Sequence, residues 1–229
     1  MHAYADDFQV YLSFSPSSCV NEEQAVQVIQ DCVADIKSWA RQHSLMLNDG
    51  KTELLVLGTR QELSKTNISH LRVGDATVAA STSVRNLGSY FDKNFTMATH
   101  VTKTCSAAFF HLHNIRQIRK FLSYEAAETL IHAFVTTKVD YCNSLLYGLP
   151  AYQIAKLQRV QNAAARLIFK ESRFCQITPL LRRLHWLPVH YRIIFKILLI
   201  AFKAIHGLAP EYISCLVRIR SLGKYNLRS

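Results

Sequence analysis

Glycine and proline are scarce in this chain. Its 229 residues hold 7 glycines and 5 prolines. That excludes collagen-like, linker-like and low-complexity polymers, which are built on those two residues. The cysteines (Cys19, Cys32, Cys105, Cys142, Cys175, Cys215) are scattered, with no CxxC or CxxH pair. Structural zinc needs ligands at short spacing, so no structural zinc is expected. Isolated cysteines among apolar residues read as core positions in a reducing compartment. No secretory leader is legible, because polar and acidic residues follow Met1 at once. Long apolar runs are missing too. The greasiest stretch, RIIFKILLIAFKAIH at 192–206, is interrupted by Lys196 and Lys203. It falls short of the roughly 20 apolar residues a membrane span needs, so it reads as a buried helix. The expectation is an intracellular protein, of nucleus or cytoplasm, that is not secreted and has no membrane partner.

Acidic residues are the other shortage, and it is unevenly distributed. The whole chain carries 27 Lys and Arg against 16 Asp and Glu, net +11. Residues 1–94 are net −3, and residues 95–229 are net +14. Such a split points to two parts with different tasks. A strongly basic part has polyphosphate as its natural partner, because each cation that meets a phosphate releases a condensed counterion. The plainer reading is a solvated basic face.

Apolar residues make up 49% of the chain, enough for a packed core. In His2–Phe14, Phe8, Val10, Leu12 and Phe14 alternate with Gln9, Tyr11 and Ser13, which predicts a hairpin. Ser15-Pro16-Ser17-Ser18 reads as a loop. Asn21 is the expected N-cap of a helix running to about His43, with Glu22 and Glu23 in its first turn. Strands are expected at Leu45–Leu47, Lys51–Leu57 and Val84–Phe91, with a turn at Asn48-Asp49-Gly50. A small hairpin is expected from Leu71 to Ala79 around Gly74-Asp75. After Asp92 the period becomes helical. Helices are predicted over Met97–Ile118, Ala126–Val135 with Ser123 as N-cap, and Tyr152–Lys170. Others start at Thr178-Pro179, at Pro188 and after Pro210. The fold class is therefore α+β: sheet with one long helix in residues 1–94, then an all-α basic region over 95–229.

Two adjacent carboxylates, Asp6 and Asp7, sit at the expected hairpin tip in Tyr4-Ala5-Asp6-Asp7. A surface turn explains them, since Asp is a favoured turn residue. A metal site also explains them. Mg²⁺ seeks carboxylate oxygens, and two such ions serve phosphoryl transfer to a hydroxyl. Arg116, Arg119 and Lys120 recur at spacings of three and four, which predicts one basic stripe, and Arg159 and Arg166 share a helix face. They read as phosphate contacts or as cations that lie along helix surfaces. His111-Leu112-His113 reads as surface histidines, and His185-Trp186-Leu187-Pro188 as a packed turn.

The order YADD, a long helix, LNDGKTELLVLG at 47–58 and VRNLGSYFD at 84–92 resembles the reverse transcriptases of non-LTR, LINE-type retrotransposons of the jockey kind. The likeness continues through KVDYCNSLLYGLP (138–150), LQRVQNAAARLIF (157–169), ITPLLRRLHWLPVHYRIIFKI (177–197) and FKAIHGLAPEYI (202–213). It implies the C-terminal part of a polymerase palm in 1–94 and a thumb-like region in 95–229. It implies that Asp6 and Asp7 are catalytic Mg²⁺ ligands, that Tyr4 lies near the primer end or incoming nucleotide, and that Lys51 of the KTE block lies near the triphosphate. RNA template and RNA–DNA duplex are the implied partners. Phe8 departs from the family, which often has a small polar residue there. Only three residues precede YADD, so the family's third metal-binding carboxylate has no counterpart here. The expectation is a fragment without polymerase activity of its own. The alternatives are a non-enzymatic nucleic-acid-binding module or an inert transposon remnant. An incomplete palm also predicts an exposed sheet edge and poor solubility for residues 1–94.

Overall fold

A computed structural model describes residues 2–16, 19–74 and 76–217. Asp75 of the expected turn, and Ser17 and Ser18 of the expected loop, lie outside the described residues. The fold is mixed α+β, and its contacts divide it into two compact units, Met1–His100 and Val101–Ser229.

The first unit contains three separate two-stranded antiparallel sheets among its described residues. Strands β1 (His2–Tyr4) and β2 (Asp7–Gln9) form a hairpin closed by Ala5 and Asp6. It is shorter than its alternating pattern suggests, because residues 10–15 leave the sheet. Helix α1 (Cys19–Gln42) starts two residues before Asn21, which therefore lies inside it and not at its cap. Strands β3 (His70–Val73) and β4 (Ala76–Ala79) bury Leu71 and Val73, and β3 packs against α1. Gly74 turns this hairpin at φ +63°, and a Cβ there would come within 2.9 Å of the Lys37 ammonium. The positive φ is what favours glycine at position 74, since the close atom is the movable end of a lysine side chain.

Two expected strands are absent. Residues 45–47 are irregular, and Lys51–Leu57 is reduced to one bridge, Leu54 to Ala80. Asn48 instead caps a single 3₁₀ turn, Asp49–Lys51, by accepting from Gly50 N–H. That turn is tied to α1 by Lys37, whose ammonium meets Asp49 at 2.6 Å. Helix α2 (Arg60–Leu63) follows, held by a capping box between Thr59 and Glu62.

The expected single strand at 84–91 is a hairpin of β5 (Ser83–Asn86) and β6 (Ser89–Asp92). Its turn residues Leu87 and Gly88 have φ +44° and +85°. Positive φ at both positions is the two-residue turn that prefers Asn-Gly, because it matches strand twist. Leucine is poorly suited to the first position. Leu87→Asn is expected to raise the stability of the first unit by about 1 kcal/mol, read as a shift in urea midpoint.

His100 is buried, and its Nδ1 accepts the Tyr90 N–H at 3.3 Å. Burial lowers its pKa below the ordinary 6.5. A lowered pKa means the unfolded chain takes up the proton more readily than the folded one. The stabilisation is thus complete above pH 6.5 and declines as pH falls toward the folded value. Denaturant titrations from pH 7.5 to 5 are expected to show the first unit weakening, and His100→Asn to flatten that slope.

The second unit is all-helical among its described residues. Helix α3 (Ala98–Ile118) begins in the first unit and carries into the second; it buries Val101, Ala108, Leu112 and Ile115. Phe109, on the same helix, is exposed. Ser123 caps α4 (Tyr124–Ile131) by accepting from Ala126 N–H. The chain then widens into a π turn, His132–Thr136, before α5 (Thr137–Asp140). Buried Ile131, Val135 and Val139 recur at every fourth residue. An α-helix rotates such a row by about 40° per step; the looser turn takes up that drift and keeps the three on one face.

Helix α6 (Ala151–Phe169) is the centre of this unit, with Leu157, Val160, Ala165 and Ile168 fully buried. Its alanines let α4, α7 (Ile177–Arg183) and α8 (Val189–Ile205) approach it. A one-turn helix α9 (Glu211–Ser214) follows Pro210.

Several helices end alike. Leu45, Glu171, Trp186 and Leu208 each donate N–H to a carbonyl five residues back, closing α1, α6, α7 and α8. The preceding residues, Ser44, Lys170, His185 and Gly207, all have positive φ. This is the left-handed helix stop, and glycine fills it once. A glycine-poor chain makes its stops from ordinary residues at a cost of about 1 kcal/mol each.

Candidate nucleic-acid interface

The YADD segment forms the tip of the first hairpin. Tyr4 pairs with Asp7, leaving Ala5 and Asp6 as a two-residue turn with Ala5 at φ +54°. Such a tight turn sets two consecutive carboxylates at one end of the ladder, one in the turn and one at the first position of β2. Asp6, Asp7 and Tyr4 are all exposed. Gln9 holds the hairpin to the neighbouring one by donating its amide to Asn86 Oδ1 at 2.7 Å. Tyr11 packs its ring on His2, with the hydroxyl 3.2 Å from Nε2. Phe8 and Leu12 are exposed, so part of the apolar face of this segment is uncovered.

As a donor set, Asp6 and Asp7 suit Mg²⁺ in chemistry but not in number. A two-ion site draws on more carboxylate oxygen than two side chains supply. No third His, Cys, Asp or Glu groups with them among the described residues. Lys51 is exposed on its 3₁₀ turn, and the structure gives it no bond to Tyr4, Asp6 or Asp7. Among the acids of α1, Glu22 is buried and accepts the Asn67 N–H at 3.0 Å. Its carboxylate ties the first helix to the segment before β3.

The five basic residues singled out in the second unit separate into two groups. Arg116, Lys120 and Arg159 are exposed. Arg119 is 7% exposed, so it does not belong to the expected stripe. Its Nε donates to Leu167 O and its Nη1 to Leu122 O, each at 2.9 Å, and its Nη2 to Ile168 O. The α6 carbonyls lie in the last turn, where the helix ends with unpaired acceptors and partial negative charge. A guanidinium fits there in both charge and fork geometry. Arg166 is half-buried and donates to Cys175 O at 3.1 Å, which holds the loop after α6. Neither side chain is free to meet a phosphate.

The structure adds a cation–aromatic corner near that same helix end. Arg183 lies 4.4 Å from the Phe169 ring centre, and Tyr124 packs on Phe169 at 5.4 Å. Lys120 covers Phe121 at 4.8 Å, and Arg173 covers Phe174 at 4.7 Å. Phe121 and Phe174 are 77% and 81% exposed, far more than apolar rings in a core. Paired cations and open rings are what nucleic-acid backbones and bases engage. The signal was present in the sequence as the dipeptides Lys120-Phe121 and Arg173-Phe174, next to helix ends.

Other reactive groups are muted. Burial pushes the Cys105 thiol up, against the opposing effect of Lys156, so it stays protonated. Burial, and then nearby Lys138, lowers the pKa of His111, whose ring stacks on Phe134. No helix is long and apolar enough to cross a membrane among the described residues. Compared with protein-family models, curated proteins and solved structures, the chain matches none.

Proposed function

We propose that this chain is part of the RNA-directed DNA polymerase of a non-LTR, LINE-type retrotransposon of the jockey kind. In this reading residues 1–94 are the C-terminal part of the palm, and residues 95–229 are a thumb-like region that grips template and primer. The observation that carries it is the YADD tip: Tyr4 paired to Asp7 across a two-residue turn, with both carboxylates open to solvent. A polymerase needs that arrangement, because metal-bound phosphates approach from outside the hairpin. The exposed Arg116, Lys120 and Arg159, and the corner around Phe169, support a backbone-binding role for the helical unit.

Asp6 and Asp7 would hold Mg²⁺, which activates the attacking 3′ hydroxyl and steadies the leaving phosphate. Tyr4 would border the primer end, and Lys51 would screen phosphate charge. Two carboxylates are too few to close the site, so the chain alone is expected to bind nucleic acid without extending it. A nucleic-acid-binding module with no enzymatic role is the second reading. Its support is that the basic helices form a compact unit of their own.

The test is a salt titration of binding to an RNA–DNA hybrid, beside Mg²⁺-dependent primer extension on the same hybrid. Binding is expected to weaken steeply with salt, with no product in the extension lane. A chain that ignores the hybrid at low salt would sink both readings. Extension that disappears in Asp6→Asn would overturn the claim of an incomplete site.

A further inference from the structure

Phe121 and Phe174 are the two most exposed phenylalanines among the described residues. They lie far apart in sequence, yet both stand on segments tied to the last turn of α6. Phe121 ends the 3₁₀ turn Arg119–Phe121 that follows α3. Arg119 fixes that turn, because its guanidinium donates to Leu122 O on one side and to Leu167 O and Ile168 O on the other. Phe174 lies in the loop after α6. Glu171 N–H donates to Arg166 O at 2.9 Å, and Arg166 Nη2 donates to Cys175 O at 3.1 Å, so the loop returns to the helix on both sides of the ring. Anchored backbone thus holds both rings at the surface. Phe169, in the same corner, has Tyr124 and Arg183 packed against it, whereas Phe121 and Phe174 stay open.

The surroundings of the rings identify the occupant. The Lys120 ammonium lies 4.8 Å from the centre of Phe121, and the Arg173 guanidinium 4.7 Å from that of Phe174. Neither cation is in an ion pair among the described residues. The chain has no Asp or Glu from Lys93 to Tyr124, nor from Ser172 to Pro210. Glu125 and Glu171 border the site but are outnumbered in these segments by exposed Arg116, Lys120, Lys170, Arg173, Arg182 and Arg183. A lipid surface or a protein partner needs contiguous apolar area, and these rings stand singly: Phe174 between Arg173 and Cys175, Phe121 between Lys120 and half-buried Leu122. A flat ring beside a cation matches one nucleotide, with a base to stack and a phosphate to neutralise. In a duplex the base faces are covered by their neighbours, so only an unpaired base can use such a ring. We infer that the end of α6 is a stacking site for single-stranded nucleic acid, in which Phe121 and Phe174 each take a base and Lys120 and Arg173 meet the adjoining phosphates. This deepens the proposed function and rests on it: the helical unit binds nucleic acid, and this corner takes the part of the strand that is not paired.

The experiment uses the full chain and labelled probes: an oligothymidylate of about twelve nucleotides, an abasic deoxyribose-phosphate strand of the same length, and a blunt RNA–DNA hybrid. Fluorescence anisotropy at low salt is expected to show the oligothymidylate binding at least about tenfold tighter than the abasic strand, although the two carry the same charge. An oligouridylate of that length should bind like the oligothymidylate, because an aromatic ring does not read the 2′ hydroxyl. Phe121→Leu with Phe174→Leu keeps apolar area but removes the π face. It should close the gap between the oligothymidylate and the abasic strand, whereas Phe121→Tyr with Phe174→Tyr should keep it. The thermal midpoint should hold in both variants, because the rings are already open. Equal binding of oligothymidylate and abasic strand overturns the inference, and leaves the proposed function standing if the hybrid still binds. Failure to bind any probe, the hybrid included, overturns both. A gap that the leucine variant leaves intact overturns the assignment to these rings. Binding to anionic phospholipid vesicles that Phe121→Ser with Phe174→Ser abolishes would also overturn it, in favour of a lipid surface.

Discussion

Arg119→Met is expected to lower the unfolding free energy of the helical unit by about 3–4 kcal/mol. Methionine keeps most of the volume but offers no donor. The carbonyls of Leu122 and Ile168 would lose the donor Arg119 gives them, Leu167 O would keep only the longer Lys170 N–H contact at 3.4 Å, and the α6 pair sits in a buried corner. Each stranded acceptor costs about 1–3 kcal/mol, less where water can enter. The positive charge at the helix end would vanish as well. Arg119→Lys should recover only part of the loss, because one ammonium cannot span the fork. Trp186 is buried in this unit and Trp39 is partly exposed in the other. Urea unfolding followed by tryptophan fluorescence in a Trp39→Phe background therefore isolates the effect. A loss under about 1 kcal/mol would mean that the carbonyls find other donors.

Reversing the three open cations should act on binding and leave the fold intact. Arg116→Glu, Lys120→Glu and Arg159→Glu together are expected to weaken hybrid binding on the order of 100-fold at low salt. For every phosphate that goes unneutralised, the plot of log K against log salt should flatten by about 0.7–0.9. A combined drop near 2 in that slope would assign at least two of the three to phosphates. Lys65→Glu, on the acidic unit, is a single-reversal control and should change little. Arg119 and Arg166 have no place in such a variant, because reversing either would disturb the fold before it touched a phosphate. If the triple reversal leaves the slope unchanged, the phosphate-binding cations lie elsewhere, with Arg173 and Arg183 the next to test.

Helical architecture was legible in the residues because its signals are local. Ser123 as a cap, Pro188 before a long helix, and the helical spans Met97–Ile118 and Tyr152–Lys170 need no knowledge of distant chain. The sheet was less legible. Lys51–Leu57 has the composition of a strand, but pairing is decided by a partner, and only Leu54 finds one. Val84–Phe91 reads as one strand until Leu87-Gly88 is taken as a turn, which a leucine conceals. The candidate site divides the same way. Asp6 and Asp7 were legible at the tip of their hairpin, where the structure has them. The fate of each cation was not, since helical spacing places Arg116, Arg119 and Lys120 on one side without saying how deep each lies. Arg119 is drawn inward by carbonyls nearly fifty residues away, an attraction no local pattern encodes.

That long reach bears on how the second unit acquires its shape. The acceptors on Leu167 and Ile168 lie 48 and 49 residues beyond Arg119. Until α6 is wound to its final turn, the guanidinium has nothing to grasp and stays hydrated. An early α3–α4 pair would leave this charge at its own margin and gain little from closing. The contact therefore needs α3, the turn before α4 and the end of α6 in place together, so it ties the start of this unit's sequence to its middle.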